Sequence, residues 1–409
     1  MRRLLRSVSL VAATLLLPLF CLMFYAQLLL PEGGLYLQTV EPFFSVLTSS
    51  SKNTTVGAVV SGSAVNTSQM RLFGLFPVKN ASAQANQRRY VIPGGQVFGL
   101  KLYAKGVVVV AVDSVAGVEG KQSPAVHADL RPGDLLLEID GTAVTRNTQV
   151  SEAVSASGGK NLSLLIEREG SQKTLTLAPA RCSDGTYKAG IWVRDSSAGI
   201  GTVTFTDPQT NMLAGLGHAI CDVDSGAVIP ISAGEAVPAL VKGCYKGING
   251  KTGELCGVFN GSSFAGLLQN GDTGVYGKLY QSPGDEPLKL PVALKQEVKT
   301  GKAQIMATVD DGKARCFDAE IKKVYPISAG SRKNLIIQVS DPELIALTGG
   351  IVQGMSGSPI LQDGMLVGAV THVFVNNPLQ GYGIFAETML ETADALAVRQ
   401  TAEMLAPAA

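Results

Sequence analysis

The range of folds open to this chain is narrowed first by a serine in a glycine-lined turn between two apolar runs, Gly354-Met355-Ser356-Gly357-Ser358-Pro359. Glycine at 354 and 357 allows backbone angles that other residues avoid, so amides of the turn can face a reactant. In acyl transfer a negative oxygen develops in the transition state, and preorganised N–H groups stabilise it. The amides of Gly354 and Ser356 are the expected oxyanion hole, and the Ser356 hydroxyl is the expected nucleophile. Residues 359–361, an Asp363-Gly364 turn and residues 365–370 then read as a hairpin that carries the serine on a rigid edge.

The longer pattern resembles the nucleophile turn of chymotrypsin-like serine peptidases, and the resemblance implies a β-barrel-type catalytic domain. Composition agrees with a turn-rich, mostly β protein, because 46 of 409 residues are glycine and few long helical patterns occur. A chain of this length calls for two or three folded units. With 34 basic and 33 acidic residues and no basic cluster beside an aromatic ladder, nucleic acid is excluded as a partner.

Three histidines exist, so the search for a general base is short: His127, His218 and His372. An imidazole titrates near pH 6.5 and can take the serine proton and return it to a leaving amine. His218, between glycine and apolar residues at a strand end, is the expected base. His372 follows Ser356 on the next strand and is expected to line the substrate wall. The third member of a triad orients the base through its other ring nitrogen. Asp222, Asp224, Asp310, Asp311, Asp341 and Asp363 are candidates, and spacing does not choose among them.

Six cysteines stand at 21, 182, 221, 244, 256 and 316 with no paired spacing for zinc, and no metal or other cofactor is expected. Cys244 and Cys256 flank a turn, where they either meet across a hairpin or remain free thiols. At the N-terminus, Arg2, Arg3 and Arg6 precede an uncharged apolar run over residues 8–30, long enough to cross a bilayer as a helix. Positive charge before the run places the N-terminus in the cytoplasm and the rest outside. No small-residue cleavage site ends the run, which favours an anchor, residues 1–30, over a cleaved signal peptide. Residues 31–88, rich in Ser, Thr, Asn and Gly, read as a linker, with an apolar patch at 72–78 that suits an added strand or a self-cleavage site. Three Asn-x-Ser/Thr triplets there are taken as chance matches.

Residues 89–181 contain Ser123-Pro-Ala-Val-His127-Ala128-Asp-Leu130-Arg-Pro132-Gly133-Asp134, followed by a strand and an Asp140-Gly141 turn. This run is similar to bacterial PDZ domains, an α+β fold. The resemblance implies a peptide-binding loop at Val97, Phe98, Gly99 and Leu100 whose amides meet a peptide carboxylate while the peptide adds to the sheet edge. His127 belongs to this module and is expected to be structural. Residues 182–409 then form the peptidase domain, closed by a helix from Phe385 in which Thr388 to Glu391 reads as a capping box.

Taken together, anchor, linker, PDZ module, Gly217-His218-Ala-Ile, Asp341-Pro-Glu-Leu-Ile, the Ser356 turn and Thr371-His372-Val-Phe resemble the stage IV sporulation protein B peptidases. That resemblance implies a triad of His218, Ser356 and Asp341. It also implies a forespore enzyme, facing the intermembrane space, that cleaves itself from its own N-terminal tether. Its further partner is then a membrane-bound inhibitor of an intramembrane protease, whose cleavage lets a pro-sigma factor be processed. Two rivals stand beside it. An HtrA-type quality-control protease places its PDZ after the catalytic domain, the reverse of this order. A PDZ scaffold with an inactive peptidase-like domain would bind without cleaving.

Overall fold

The structure is a computed structural model of the chain. It describes strands Leu47–Ser51, Asn66–Leu72 and Phe76–Ala83, then residues 88–405 apart from 223–225, 283–287, 311 and 326–332. The anchor expected at residues 1–30 lies outside the described residues, and no described helix is long and apolar enough to cross a membrane. Two compact units are present, residues 1–89 and residues 90–409. In the first, expected to be linker, the three described strands form an antiparallel sheet in sequence order. Leu72 and Phe76 are register partners across its hairpin.

The second unit is mostly β. Strands Gly301–Ala307, Arg315–Val324, Leu335–Val339, Asn377–Phe385, Met365–Phe374 and Pro359–Gln362 close into a barrel. Its interior follows the period-two pattern of these strands: Ile305, Phe317, Ile321, Leu335, Ile337 and Ile360 are buried in one cluster. Another ring, the first in chain order, runs Val97–Val112, Ile231–Tyr245, Ala265–Gly271, Gly274–Leu279, Met212–Gly215 and Ile191–Asp207. Its last strand pairs back on the first, so these six strands also return on themselves. Phe98, Leu100, Leu102, Leu213, Leu267 and Val275 fill it.

Two strands of this ring are long enough to serve two sheets. Residues 97–103 pair with residues 196–202 inside the ring, and residues 108–112 pair with residues 191–194 beyond it. The register breaks between Arg194 and Ser196, where the two ladders part. The outer ladder belongs to the PDZ module, together with Leu135–Ile139, Leu162–Arg168, Ser171–Leu177 and helix Asn147–Ala156. Val107, Val109, Leu136, Ile139, Val150, Val154, Leu164 and Ile166 form its core. The PDZ module is therefore inserted between two neighbouring strands of the first ring. The boundary read from sequence placed residues 90–103 with the PDZ module, whereas their partners lie in the ring. Lys105 and Gly106 stand between the two ladders, but in the sequence they read as a loop leading into the next strand rather than as a boundary within one strand.

Helix Ala386–Leu405 starts two residues before Thr388, so the expected capping box lies inside it. Glu391 pairs with Lys295 at 3.2 Å instead, and Met389, Leu390, Ala393 and Leu396 pack against Phe205, Met212 and Tyr276. Cys244 and Cys256 occupy adjacent antiparallel strands one register position apart, and both are free thiols.

Candidate active site

The turn that carries Ser356 is fixed from three sides. Helix Pro342–Thr348 ends at Gly349, and the Ile351 amide donates to the Pro378 carbonyl at 2.7 Å. Next, the Gln353 amide donates to Gly253 and the Leu255 amide to Gln353, both at 2.9 Å, which ties the approach to a neighbouring segment. Strand Ile191–Asp207 then holds the turn by its carbonyls. The Thr202 hydroxyl donates to the Gly354 carbonyl at 2.7 Å, the Thr202 amide to Ser356 at 2.9 Å, and the Thr204 hydroxyl to Gly357 at 2.8 Å. The Gly357 amide donates to Val370 at 2.7 Å and the Ser358 amide to Met355 at 2.9 Å.

Among the described residues, two amides of this turn find no protein acceptor, those of Gly354 and Ser356. The other backbone groups from Gly354 to Ser358 are committed, so these two are preorganised donors. Gly354 and Gly357 both sit in the left-handed region, with φ of 95° and 96°. A Cβ on Gly357 would fall against the Thr202 carbonyl and the Leu216 backbone nitrogen, so glycine is required there by approach as well as by angle.

That contact brings the base near, because Leu216 and Gly217 turn the chain at positive φ, 63° and 70°, directly into His218. His218 is half-buried, and its Nδ1 lies 2.7 Å from the Ala219 carbonyl. A proton on Nδ1 donated to that carbonyl leaves Nε2 as the acceptor. Burial pushes the His218 imidazole below its ordinary range, against a smaller upward pull from the Ala219 carbonyl, so the ring is neutral at neutral pH. His372 stacks on it with ring centroids 4.4 Å apart. Burial first, and then repulsion from His218 when it is protonated and from Lys333, pull His372 down to about 4. Its exposed surface lets water screen part of that pull.

The two rings form one wall of a cavity of about 350 Å³, whose other lining includes Leu100, Leu102, Ser197 and Ile200. The Ser356 hydroxyl stands beside this wall without facing it. It donates to the Thr371 carbonyl at 2.6 Å, one residue before His372. Ser356 and His218 are thus in the same neighbourhood with no hydrogen bond between them.

Asp341 is elsewhere. Its carboxylate caps helix Pro342–Thr348, accepting from the Glu343 amide at 2.9 Å and Leu344 at 3.1 Å, and it takes the Asp318 amide at 3.1 Å. Burial would raise its carboxyl, but the amides of Leu344, Asp318 and Glu343 and the Arg315 guanidinium outweigh it, so the carboxyl sits below its usual range. Asp341 follows strand Leu335–Val339, whereas Lys333, which acts on His372, precedes it. Strand Leu335–Val339, five residues at about 3.3 Å each, separates the two ends. In this structure Asp341 serves as a helix cap, and no hydrogen bond joins it to His218. Asp222 is buried against Arg194, and Asp310 pairs with Arg315 at 2.6 Å. Among the described residues no carboxylate bonds to His218, and the backbone carbonyl of Ala219 holds it instead. Asp224 and Asp311 lie outside the described residues.

The expected peptide loop also needs correction. Residues 97–100 are a central strand of the first ring, paired on one side with residues 199–202 and on the other with residues 236–238. Val97, Phe98 and Leu100 are buried, and backbone engaged on both edges has no amide to offer a carboxylate. His127 ends the short helix Pro124–His127 of the PDZ module and is exposed. Sequence reasoning missed Thr202 and Thr204, whose partners lie 152 and 153 positions away.

Comparisons with known proteins bear on both modules. A family model described as SpoIVB peptidase S55 matches residues 185–390, and a PDZ domain model matches residues 115–168. A Lactococcus lactis protein bearing a zinc metalloprotease name is 34% identical over 89 residues, 22% of this chain and 20% of that protein. A Brucella suis protein with a similar name is 28% identical over 119 residues, 28% of this chain and 30% of its own. The chain thus spans less than a third of these curated relatives. Among solved structures, the active form of the Rv3671c protease from M. tuberculosis shares 14% identity at a TM-score of 0.30, covering 49% of this chain and 74% of that one. The PDZ domain of an SdrC-like protein from Listeria monocytogenes shares 23% identity at a TM-score of 0.19, covering 22% of this chain and 90% of its own.

Proposed function

The chain belongs to the SpoIVB peptidase S55 family, and from that premise we propose that it is a serine endopeptidase in which Ser356 attacks, His218 moves the proton, and the Gly354 and Ser356 amides hold the oxyanion. The observation that carries this reading is the pair of uncommitted amides in a turn whose other backbone groups are bonded. Rotation of the Ser356 side chain from the Thr371 carbonyl toward His218 Nε2 completes the dyad. That rotation exchanges one hydrogen bond for another, so its cost is on the order of 1 kcal/mol. His218 Nε2 then accepts the hydroxyl proton as the oxygen adds to the scissile carbonyl. The imidazolium gives the proton to the leaving amine, and water repeats the sequence on the acyl-enzyme. The Ala219 carbonyl orients the imidazole where a triad would use a carboxylate.

The substrate is a protein or peptide, bound in extended form along the cavity beside His218. In our reading the apolar run at residues 8–30 anchors the enzyme, with its catalytic part in the forespore intermembrane space. There it cleaves its own tether and then a membrane-bound inhibitor of an intramembrane protease, which opens the way to pro-sigma factor processing in sporulation. Residues 71–409, as wild type and Ser356→Ala, test the chemistry. A fluorophosphonate is expected to label wild type alone, and only wild type is expected to cut itself. Equal labelling of the two proteins, or none of either, overturns the assignment and leaves a binding protein.

A further inference from the structure

The residues that a peptide-binding PDZ module keeps for its ligand are already covered here. Strand segment 107–112 is bonded on one edge, at residues 107–109, to residues 133–136. Its other edge faces helix Asn147–Ala156, and between the two lies residues 191–194 of this same chain. The pairing is antiparallel, Ile191 to Val112, Trp192 to Ala111, Val193 to Val109 and Arg194 to Val108. Alternate side chains behave as a bound peptide's do: Ile191 and Val193 pack on the cluster that contains Val150 and Val154 of the helix, whereas Trp192 points out at 64% exposure. Asp195 comes next, where the ladder breaks. Its carboxylate accepts the Asn147 amide, the first of the helix, at 3.0 Å, and the Ser196 hydroxyl at 3.0 Å. An extended strand, two apolar side chains turned to a helix and a carboxylate at the exit are the parts of a C-terminal peptide ligand.

We propose that residues 191–195 are a built-in ligand of the PDZ groove, and that an external peptide with alternating apolar residues and a free C-terminal carboxylate competes with them for it. The inference stands apart from the peptidase reading, since it uses no residue of the Ser356 site. Tethering gives the internal strand an effective concentration on the order of millimolar, so an outside peptide binds weakly until that strand is loosened.

The probe is a synthetic peptide copying residues 188–194 with a free carboxyl end. It is titrated against the full chain, as wild type and with Val193→Asp, and hydrogen exchange is read along both strands. The Val193→Asp chain is expected to bind the peptide at least tenfold more tightly than wild type. Bound peptide is expected to speed exchange at residues 191–194 while residues 107–112 stay protected. A copy with aspartate at the positions of Ile191 and Val193 is expected not to bind. The proposal is overturned if a folded Val193→Asp chain binds no more tightly than wild type, or if bound peptide leaves exchange at residues 191–194 unchanged. Should Val193→Asp fail to fold, Ile191→Asp takes its place. Should both fail, the wild-type exchange pattern at millimolar peptide decides, and either no binding or unchanged exchange at residues 191–194 overturns the proposal.

Discussion

Ser356 and His218 could be proposed from sequence because the chemistry requires a glycine turn and only three imidazoles are available to serve it. Asp341 has a second reading for an equally physical reason. Asp-Pro-Glu is also how a helix begins, with a carboxylate on the first amides and proline where no donor is needed. The two roles separate cleanly by substitution. Asp341→Asn keeps a good cap and is expected to leave kcat within a few-fold of wild type, whereas loss of a true triad acid costs about 10⁴-fold. Asp341→Ala is expected to lose about 1 kcal/mol of stability by denaturant titration. The imidazole of His218, held below its ordinary range by burial, also fixes a sign. Protonation removes the base, so kcat/KM is expected to hold its plateau below pH 6.5, the ordinary histidine value, and to fall only on further acidification. A midpoint above 6.5 would mean that burial does not govern this ring.

The strand Ile191–Asp207 does more than its sequence announced. Thr202 and Thr204 read as alternating strand residues, and nothing local shows that their hydroxyls meet carbonyls more than 150 positions away. Thr202→Val keeps shape and removes the bond to Gly354. It is expected to lower kcat about tenfold with KM little changed, the signature of a turn that no longer holds its donors in place. Gly357→Ala meets both a left-handed angle and a backbone collision. A loss of about 2–4 kcal/mol in chemical unfolding, with peptidase activity abolished, is the expected outcome. The hairpin after Ser356 and the period-two strands of the barrel could be read directly. The joining of residues 97–103 and 107–112 into one strand with two partners could not, because Lys105-Gly106 reads as a loop between two separate strands.

Placement of the PDZ module within the first ring, rather than ahead of it, has a consequence for how the protein assembles. Residues 97–103 and 196–202 are neighbours in space but are separated by the whole inserted module. Closing a flexible loop of that length carries an entropic cost before any ring contact forms. A module that folds first brings its two ends side by side and removes most of that cost, so the recognition half acts as an internal clip for the hydrolytic half. Leu136, fully buried in the PDZ core, offers a test. Leu136→Ala removes about 2–5 kcal/mol from that module and is expected to slow recovery of peptidase activity on refolding, although the residue is remote from Ser356. In synthesis from the ribosome, a working nucleophile then cannot appear before its docking module has taken shape.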